Sequence, residues 1–289
     1  MSRIAYVNGR YLPQRHAVVN VEDRGYQFAD GVYEVVLVQG GRFVDEDRHL
    51  ARLQRSLAAI RIAAPLRTAA LRLVLREILA RNRVRDGLVY VQVTRGVARR
   101  DHPFPVKPVP PAIAVTARRL PPFPANPERW ATAAITAPDQ RWARCDIKST
   151  ALLPNVLARQ AARERGAAEA ILVDADGTVT EGAATTVWIV DRDGLLRTRH
   201  LDAAILPGCT REALIALMEA AGVGFAERAF SAAELRDARE VFLTSATSYV
   251  RPVVELDGEP VGDGAIGPVT RDLFARFARH ARGDGRNVA

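Results

Sequence analysis

Pro121-Pro122-Phe123-Pro124-Ala125-Asn126-Pro127 sets four prolines in seven residues. Each proline removes a backbone donor and fixes φ, so neither a helix interior nor a central strand can run through the stretch. It reads as a linker or stiff crossover, dividing the chain into a smaller domain over 1–120 and a larger one over 128–289. A chain of 289 residues is long enough for two compact units of roughly 100–200 residues each.

On the N-terminal side, Asn8-Gly9 joins two short β-rich runs as a hairpin, and Gly40-Gly41 joins two more strands. Leu50, Leu53, Leu57 and Ile60 recur at helical spacing, so residues 48–62 form an amphipathic helix. A second helix runs from a Thr68 cap to about Arg83, followed by strands over 88–96 and 112–120. On the C-terminal side the grammar is mixed. A β run at 130–137 is followed by a helix over about 150–165 that stops at Gly166. Strand-turn-strand units and further helices then continue to 282. Without strict β-α alternation, the pattern argues for an α+β fold and against a doubly wound sheet.

Forty-eight per cent hydrophobic and 26% charged residues make an ordinary globular mixture. Cys145 and Cys209 alone cannot build a disulfide scaffold or a multi-cysteine zinc site, and two free thiols suit the cytoplasm. The N-terminal residues lack the apolar core of a signal peptide, and no run of about 18 apolar residues exists to span a bilayer. The net charge of +8 raises nucleic-acid binding. However, the basic residues lie scattered among acids on helical segments, which is how a solvated surface reads. Histidines 16, 49, 102, 200 and 280 have no metal-ligand spacing, so no metal site is expected. Gly262-Asp-Gly264-Ala-Ile-Gly267 matches a dinucleotide fingerprint in letters only, because it lies too near the C-terminus to be followed by the required strand and acid. Turn glycines are the better reading.

Of the 41 basic residues, 39 are arginine, and the lysines are Lys107 and Lys148. A lysine retained in such a chain is informative where arginine cannot substitute: a primary amine can deprotonate and condense with an aldehyde, whereas a guanidinium stays protonated. Lys107 lies in a Pro-rich loop. Lys148, in Cys145-Asp-Ile-Lys148-Ser-Thr150, sits between a strand and a helix, a junction that suits a site. As a nucleophile its pKa must fall from about 10.4, through burial or a nearby positive charge.

Other groups are individually ambiguous. Glu181 ends a strand at a glycine turn whose geometry Asp176-Gly177 already supplies. Gly208-Cys209-Thr210-Arg211 opens a helix, with Thr210 as the expected N-cap and backbone amides suited to phosphate. Thr244-Ser-Ala246-Thr-Ser248 is a hydroxyl-rich turn. Arg100 and His102, two apart on an extended loop, face the same way and can hold a carboxylate jointly, or simply be solvated.

Together these strings carry a resemblance. Glu22-Asp-Arg-Gly25-Tyr-Gln-Phe-Ala-Asp30-Gly-Val-Tyr33-Glu34 resembles the N-terminal signature of fold-type IV pyridoxal-phosphate enzymes. The segments around Lys148, Glu169, Glu181, Gly208 and Leu243 follow in the family's order over nearly the whole chain. Arg100-Asp-His102 is similar to the Arg-x-His loop of D-amino-acid aminotransferases.

The resemblance implies a two-domain α+β fold-type IV enzyme that uses pyridoxal 5'-phosphate. It implies that Lys148 holds the cofactor as a Schiff base and, once released, carries the proton at the substrate Cα. Glu181 would keep the pyridine nitrogen protonated. Arg52 would pair with the phosphate, with the amides of Cys209, Thr210 and Ala246 assisting. Tyr33, Arg100 and His102 would bind the substrate carboxylate, the Arg100–His102 loop coming from the partner subunit of a homodimer. The implied reaction is ping-pong transamination between a D-amino acid, such as D-alanine or D-glutamate, and a 2-oxo acid. The alternatives within the fold are an L-branched-chain or R-amine transaminase, or an aminodeoxychorismate-lyase-like enzyme. Two departures concern cofactor affinity: Ala183, Ala184, Thr185 and Thr186 stand where D-specific relatives carry serines, and Ala246 replaces a hydroxyl residue.

Overall fold

The computed structural model describes residues 3–121 and 123–283. Residues 1–2, 122 and 284–289, which fall within the two expected domains and the linker, lie outside the described residues. The chain forms two compact units, Met1–Pro122 with Ile147–Ala151, and Phe123–Asp146 with Leu152–Ala289. The segment carrying Lys148 thus belongs to the first unit, although it is flanked in sequence by the second.

The first unit contains β1 (Ile4–Val7), β2 (Arg10–Pro13), α1 (Arg24–Phe28), β3 (Gly31–Gln39), β4 (Arg42–Phe43), α2 (Glu46–Ala59), α3 (Thr68–Asn82), β5 (Gly87–Thr94) and β6 (Ala112–Arg119). Its six-stranded sheet has the order β2-β1-β6-β5-β3-β4. The Asn8-Gly9 turn has φ of 45° and 88°, the positive pair that matches strand twist in a tight hairpin. The core is built from one side of the sheet and the apolar stripes of the two long helices, including Leu50, Leu53 and Leu57 of α2 and Leu71, Leu75 and Ile78 of α3. Thr68 does not cap α3: Arg67 holds the N-cap position and Thr68 is the first helical residue.

Side chains alternate across β3, so Val32, Glu34 and Val36 are buried while Tyr33 and Val35 lie on the half-buried face. β4 pairs only with Val38 and Gln39, which leaves the beginning of β3 as an edge. The segment at 148–150 occupies it. The Tyr33 N–H donates to the Lys148 carbonyl at 3.0 Å, Val32 bridges Ser149, and the Thr150 N–H donates to the Gly31 carbonyl at 3.0 Å.

The second unit contains β7 (Thr132–Pro138), α4 (Leu153–Glu164), β8 (Glu169–Val173), β9 (Val179–Gly182), β10 (Thr186–Val190), β11 (Leu196–Thr198), α5 (Cys209–Ala220), β12 (Ala226–Glu227), α6 (Ala232–Arg236), β13 (Glu240–Ser245), β14 (Tyr249–Leu256), β15 (Glu259–Pro260) and α7 (Pro268–Arg282). The sheet order is β12-β11-β10-β13-β14-β7-β8-β9, with β15 beside β14. Parallel β14-β7-β8 and β11-β12 pairs combine with antiparallel pairs elsewhere, the mixed arrangement of an α+β fold. Among the described residues no helix is long and apolar enough to cross a membrane.

The glycines of the false fingerprint have structural work. Gly262 and Gly264 turn the chain at positive φ, 58° and 78°. Gly267 caps α7, and a Cβ there would lie 2.1 Å from the Glu240 carboxyl carbon.

Candidate active site

In the first unit, Lys148 and Tyr33 come together. The lysine Nζ lies 3.3 Å from the Tyr33 hydroxyl and 4.3 Å from its ring centroid, a combined hydrogen-bond and cation–π geometry. Tyr33 stacks on Tyr90 of β5, and the Tyr90 hydroxyl donates to Gln92 at 2.7 Å. Burial, with Tyr33 adding to it, pushes the Tyr90 phenol up to about 12, so it remains a neutral donor at physiological pH. The Lys148 backbone N–H donates to Ser56 Oγ of α2 at 3.2 Å. Both the backbone and the amine of Lys148 are therefore held.

One helical turn before Ser56, Arg52 forks the Glu34 carboxylate at 2.7 and 2.9 Å, while His49 Nδ1 approaches the same group at 2.8 Å. Burial raises the Glu34 pKa, but Arg52 and then His49 outweigh it and hold the group at about 2. Arg52, the residue implied for phosphate, is thus oriented by an anion on the buried side of β3. Glu34 stands within the sequence signature without a role of its own there, and its importance depends on an 18-residue separation that sequence spacing does not reveal.

Arg100 and His102 lie around the Phe28 ring, with the Arg100 guanidinium 5.1 Å from its centroid and the His102 ring 5.5 Å away at 50°. Both side chains are exposed on their loop.

In the second unit, Glu181 is buried at the end of β9. It accepts 3.2 Å hydrogen bonds from the Leu206 N–H and forms an ion pair with Arg141. Arg141 is also clamped by Asp139 and donates to the Ala204 carbonyl at 3.0 Å. Burial opposes the charge on this guanidinium, but Asp139 and Glu181 outweigh it and hold its pKa above the ordinary value. Arg141 gives no signal in the sequence, because among 39 arginines one more does not stand out.

α5 does not begin as expected. Thr210 is inside the helix and Gly208 is the N-cap, bringing no capping side chain. A Cβ on Gly208 would lie 2.9 Å from Thr186 Oγ1, so only glycine allows this close approach. Cys209 and Thr210 are buried, and Ala246 lies in the β13–β14 turn, where the Ser248 N–H donates to the Ser245 carbonyl at 3.1 Å. Ala183 is also buried, and its carbonyl accepts from Asn155 Nδ2 at 2.8 Å.

A model of amino-transferase class IV matches residues 31–256. The chain belongs to this family. This class IV aminotransferase is 42% identical over 267 residues to D-alanine aminotransferase of Bacillus licheniformis, covering 92% of this chain and 93% of the relative. It is 40% identical over 275 residues to D-alanine aminotransferase of Staphylococcus haemolyticus, covering 95% and 96%. In fold it is similar to the branched-chain aminotransferase of the thermophilic archaeon Thermoproteus uzoniensis solved with norvaline, at a TM-score of 0.86 and 24% identity, covering 99% and 97%.

Each unit carries groups of the kind a pyridoxal-type cofactor needs: in the first an amine is held at Lys148, and in the second a buried carboxylate at Glu181 is ion-paired with Arg141 and α5 starts at a glycine that a Cβ would crowd.

Proposed function

We propose that this class IV aminotransferase exchanges the amino group of D-amino acids, of the D-alanine and D-glutamate type, with 2-oxo acids, using pyridoxal 5'-phosphate. The observation that carries the reading is the Lys148 amine held 3.3 Å from the Tyr33 hydroxyl. Identity of 42% to a D-alanine aminotransferase favours D-amino acids over the L-branched-chain, R-amine and lyase alternatives, since the likeness to a branched-chain enzyme is one of fold.

The bound cofactor supplies an electron sink for the charge left when the substrate Cα loses its proton. Lys148 supplies the amine that holds the cofactor's aldehyde and then moves that proton. Glu181, paired with Arg141, would hold the pyridine nitrogen protonated. Arg52 and the amides of Cys209, Thr210 and Ala246 would bind the phosphate. Tyr33, Arg100 and His102 would bind the substrate carboxylate, the last two reaching a second copy of the chain in a homodimer. Exposed Val18, Val19, Val21 and Tyr26 before and within α1, and exposed Leu153, Val156 and Leu157 on α4, are apolar surface suited to a second copy. Two buried free thiols, Cys145 and Cys209, suit a reducing cytoplasm.

The visible spectrum of purified protein tests the assignment. The yellow band of bound cofactor should bleach with D-alanine and persist with L-leucine. Bleaching by L-leucine alone overturns the substrate assignment, and no band after added pyridoxal phosphate overturns the cofactor assignment. Lys148→Ala should lower turnover by at least about 10³-fold, and full turnover without added amine would remove its catalytic role.

A further inference from the structure

Asp30 is a nearly buried carboxylate between two arginines of the first unit. It accepts from Arg24 Nε at 2.8 Å and from Arg95 at 2.7 and 2.9 Å. Each arginine also acts elsewhere. Arg24, only 4% exposed, donates to the backbone carbonyls of Asp101 at 2.6 Å and His102 at 3.1 Å. Arg95 donates to the carbonyls of Arg61 and Ile60 at 3.0 and 2.8 Å, and its guanidinium lies 3.6 Å from the Phe104 ring centroid. Arg24 further lies 4.8 Å from the centroid of the Phe28 ring, the ring that Arg100 and His102 flank.

The loop around Arg100 and His102 has no regular structure across 98–104 and is exposed along most of its length. Such a segment samples many backbone states unless something fixes it. The groups that fix this one are buried and ionic. A neutral side chain could not replace Arg24, because two carbonyls and a carboxylate must be reached by one planar fork. Lysine at that position keeps the charge but cannot reach all three in plane.

We infer that Asp30 and Arg24 are positioning residues for the substrate carboxylate. Asp30 orients Arg24, and Arg24 holds the backbone at 101 and 102, so that Arg100 and His102 present one fixed pair of donors. The inference rests on the proposed carboxylate role of Arg100 and His102. Neither Asp30 nor Arg24 need touch substrate. A binding pair whose spacing is set in advance avoids the ordering cost that a mobile loop incurs at each turnover.

The test uses holoenzyme variants Arg24→Lys, Asp30→Asn, Phe28→Leu and the double variant Arg100→Ala/His102→Ala. Arg24→Lys should raise the KM for D-alanine about 10- to 100-fold with kcat changed by less than about threefold. Trypsin should cleave after Arg99 and Arg100 faster than in the parent, which reports the loop directly and does not depend on turnover. On the Arg100→Ala/His102→Ala background, Arg24→Lys should add no further rise in KM. A lowered melting temperature with unchanged KM and unchanged loop cleavage would assign Arg24 a purely structural role and overturn the inference. Should Arg24→Lys and Asp30→Asn fail to fold, hydrogen exchange of the parent holoenzyme decides: amides over 99–103 that exchange as fast as those of an unstructured peptide would overturn the inference, while Phe28→Leu, which removes the shared ring and leaves the ion pairs, should keep loop cleavage at the parent's rate. If Arg100→Ala/His102→Ala itself leaves the KM unaltered, the carboxylate reading falls, and the positioning role falls with it. If that double variant raises KM while Arg24→Lys and Asp30→Asn do not, the carboxylate reading stands and the positioning role alone is lost.

Discussion

α5 and α7 begin with similar residues, Gly208-Cys-Thr-Arg211 and Gly267-Pro-Val-Thr-Arg271, yet their N-termini are treated differently. At α7 the chain supplies its own anion. Glu240 accepts from the Val269 and Thr270 amides at 3.1 and 2.7 Å and from the Thr270 hydroxyl at 2.7 Å. At α5 the cap is Gly208, pressed toward Thr186 with no side chain of its own. A helix start attracts negative charge in either case. Where a buried carboxylate already meets it, the feature is architecture. Where the cap is bare and the amides are those of buried residues, it is the start proposed to take the ligand phosphate. α6 is a third case, closed locally by a Ser231–Glu234 capping box.

The contrast can be broken at α5 first. Gly208→Asp would install an internal anion, imitating Glu240, and would crowd Thr186. Like-charge juxtaposition costs several kcal/mol, so pyridoxal phosphate affinity should fall by about 10³-fold in equilibrium titration of the apoprotein. Unchanged affinity would remove α5 from the phosphate site.

Glu34 in the first unit gives a comparison by pH. Its folded pKa of about 2 lies below the ordinary glutamate value of 4.5, so it contributes stability above the unfolded pKa. That contribution, about 3 kcal/mol from the shift, is lost as pH falls through the interval from 4.5 to about 2. Denaturant unfolding should show a steeper acid-side slope in the wild type than in Glu34→Gln, the remainder coming from other carboxylates held low by arginines, such as Asp30 and Asp139. Equal slopes would place the acid sensitivity elsewhere.

At α7, Glu240→Gln should lower unfolding free energy by about 1–3 kcal/mol while leaving cofactor affinity unaltered, the reverse of the α5 variant. Loss of affinity there would erase the distinction between the two helix starts. Ser231→Ala, which removes only a local cap, should cost about 1 kcal/mol in chemical denaturation.

Much of this was legible in the sequence. Periodicity placed α2 and α3 to within a few residues, because apolar side chains at helical spacing have no other way to share one face. Asn8-Gly9 specified its hairpin through dihedrals that other residue pairs rarely adopt. Lys148 stood out by scarcity. Arg141, Arg24 and Arg95 did not, since arginine is common throughout this chain and the partners that give them roles lie 40, 77 and 65 residues away. α1 was not anticipated as a helix, because its five residues, Arg24–Phe28, are too few for a periodic stripe. Thr68 and Thr210 were expected as caps on residue type, but the backbone turns into the helix one residue earlier at α3 and two residues earlier at α5.

Turns and helix stripes were therefore determined by the sequence alone, while cap positions were not. Turns and helix stripes depend on neighbours within a few positions, and residue type encodes those neighbours directly. Tertiary structure decided which charges meet. It seated the 148–150 segment on the edge of β3, turned Arg52 onto Glu34, paired Arg141 with Glu181, and sent Arg24 to the backbone of a distant loop. Those pairings join chain segments that lie far apart in sequence and meet only in the folded chain. Once desolvated, each buried charge must find an opposite charge or a carbonyl, and the fold determines which one is within reach.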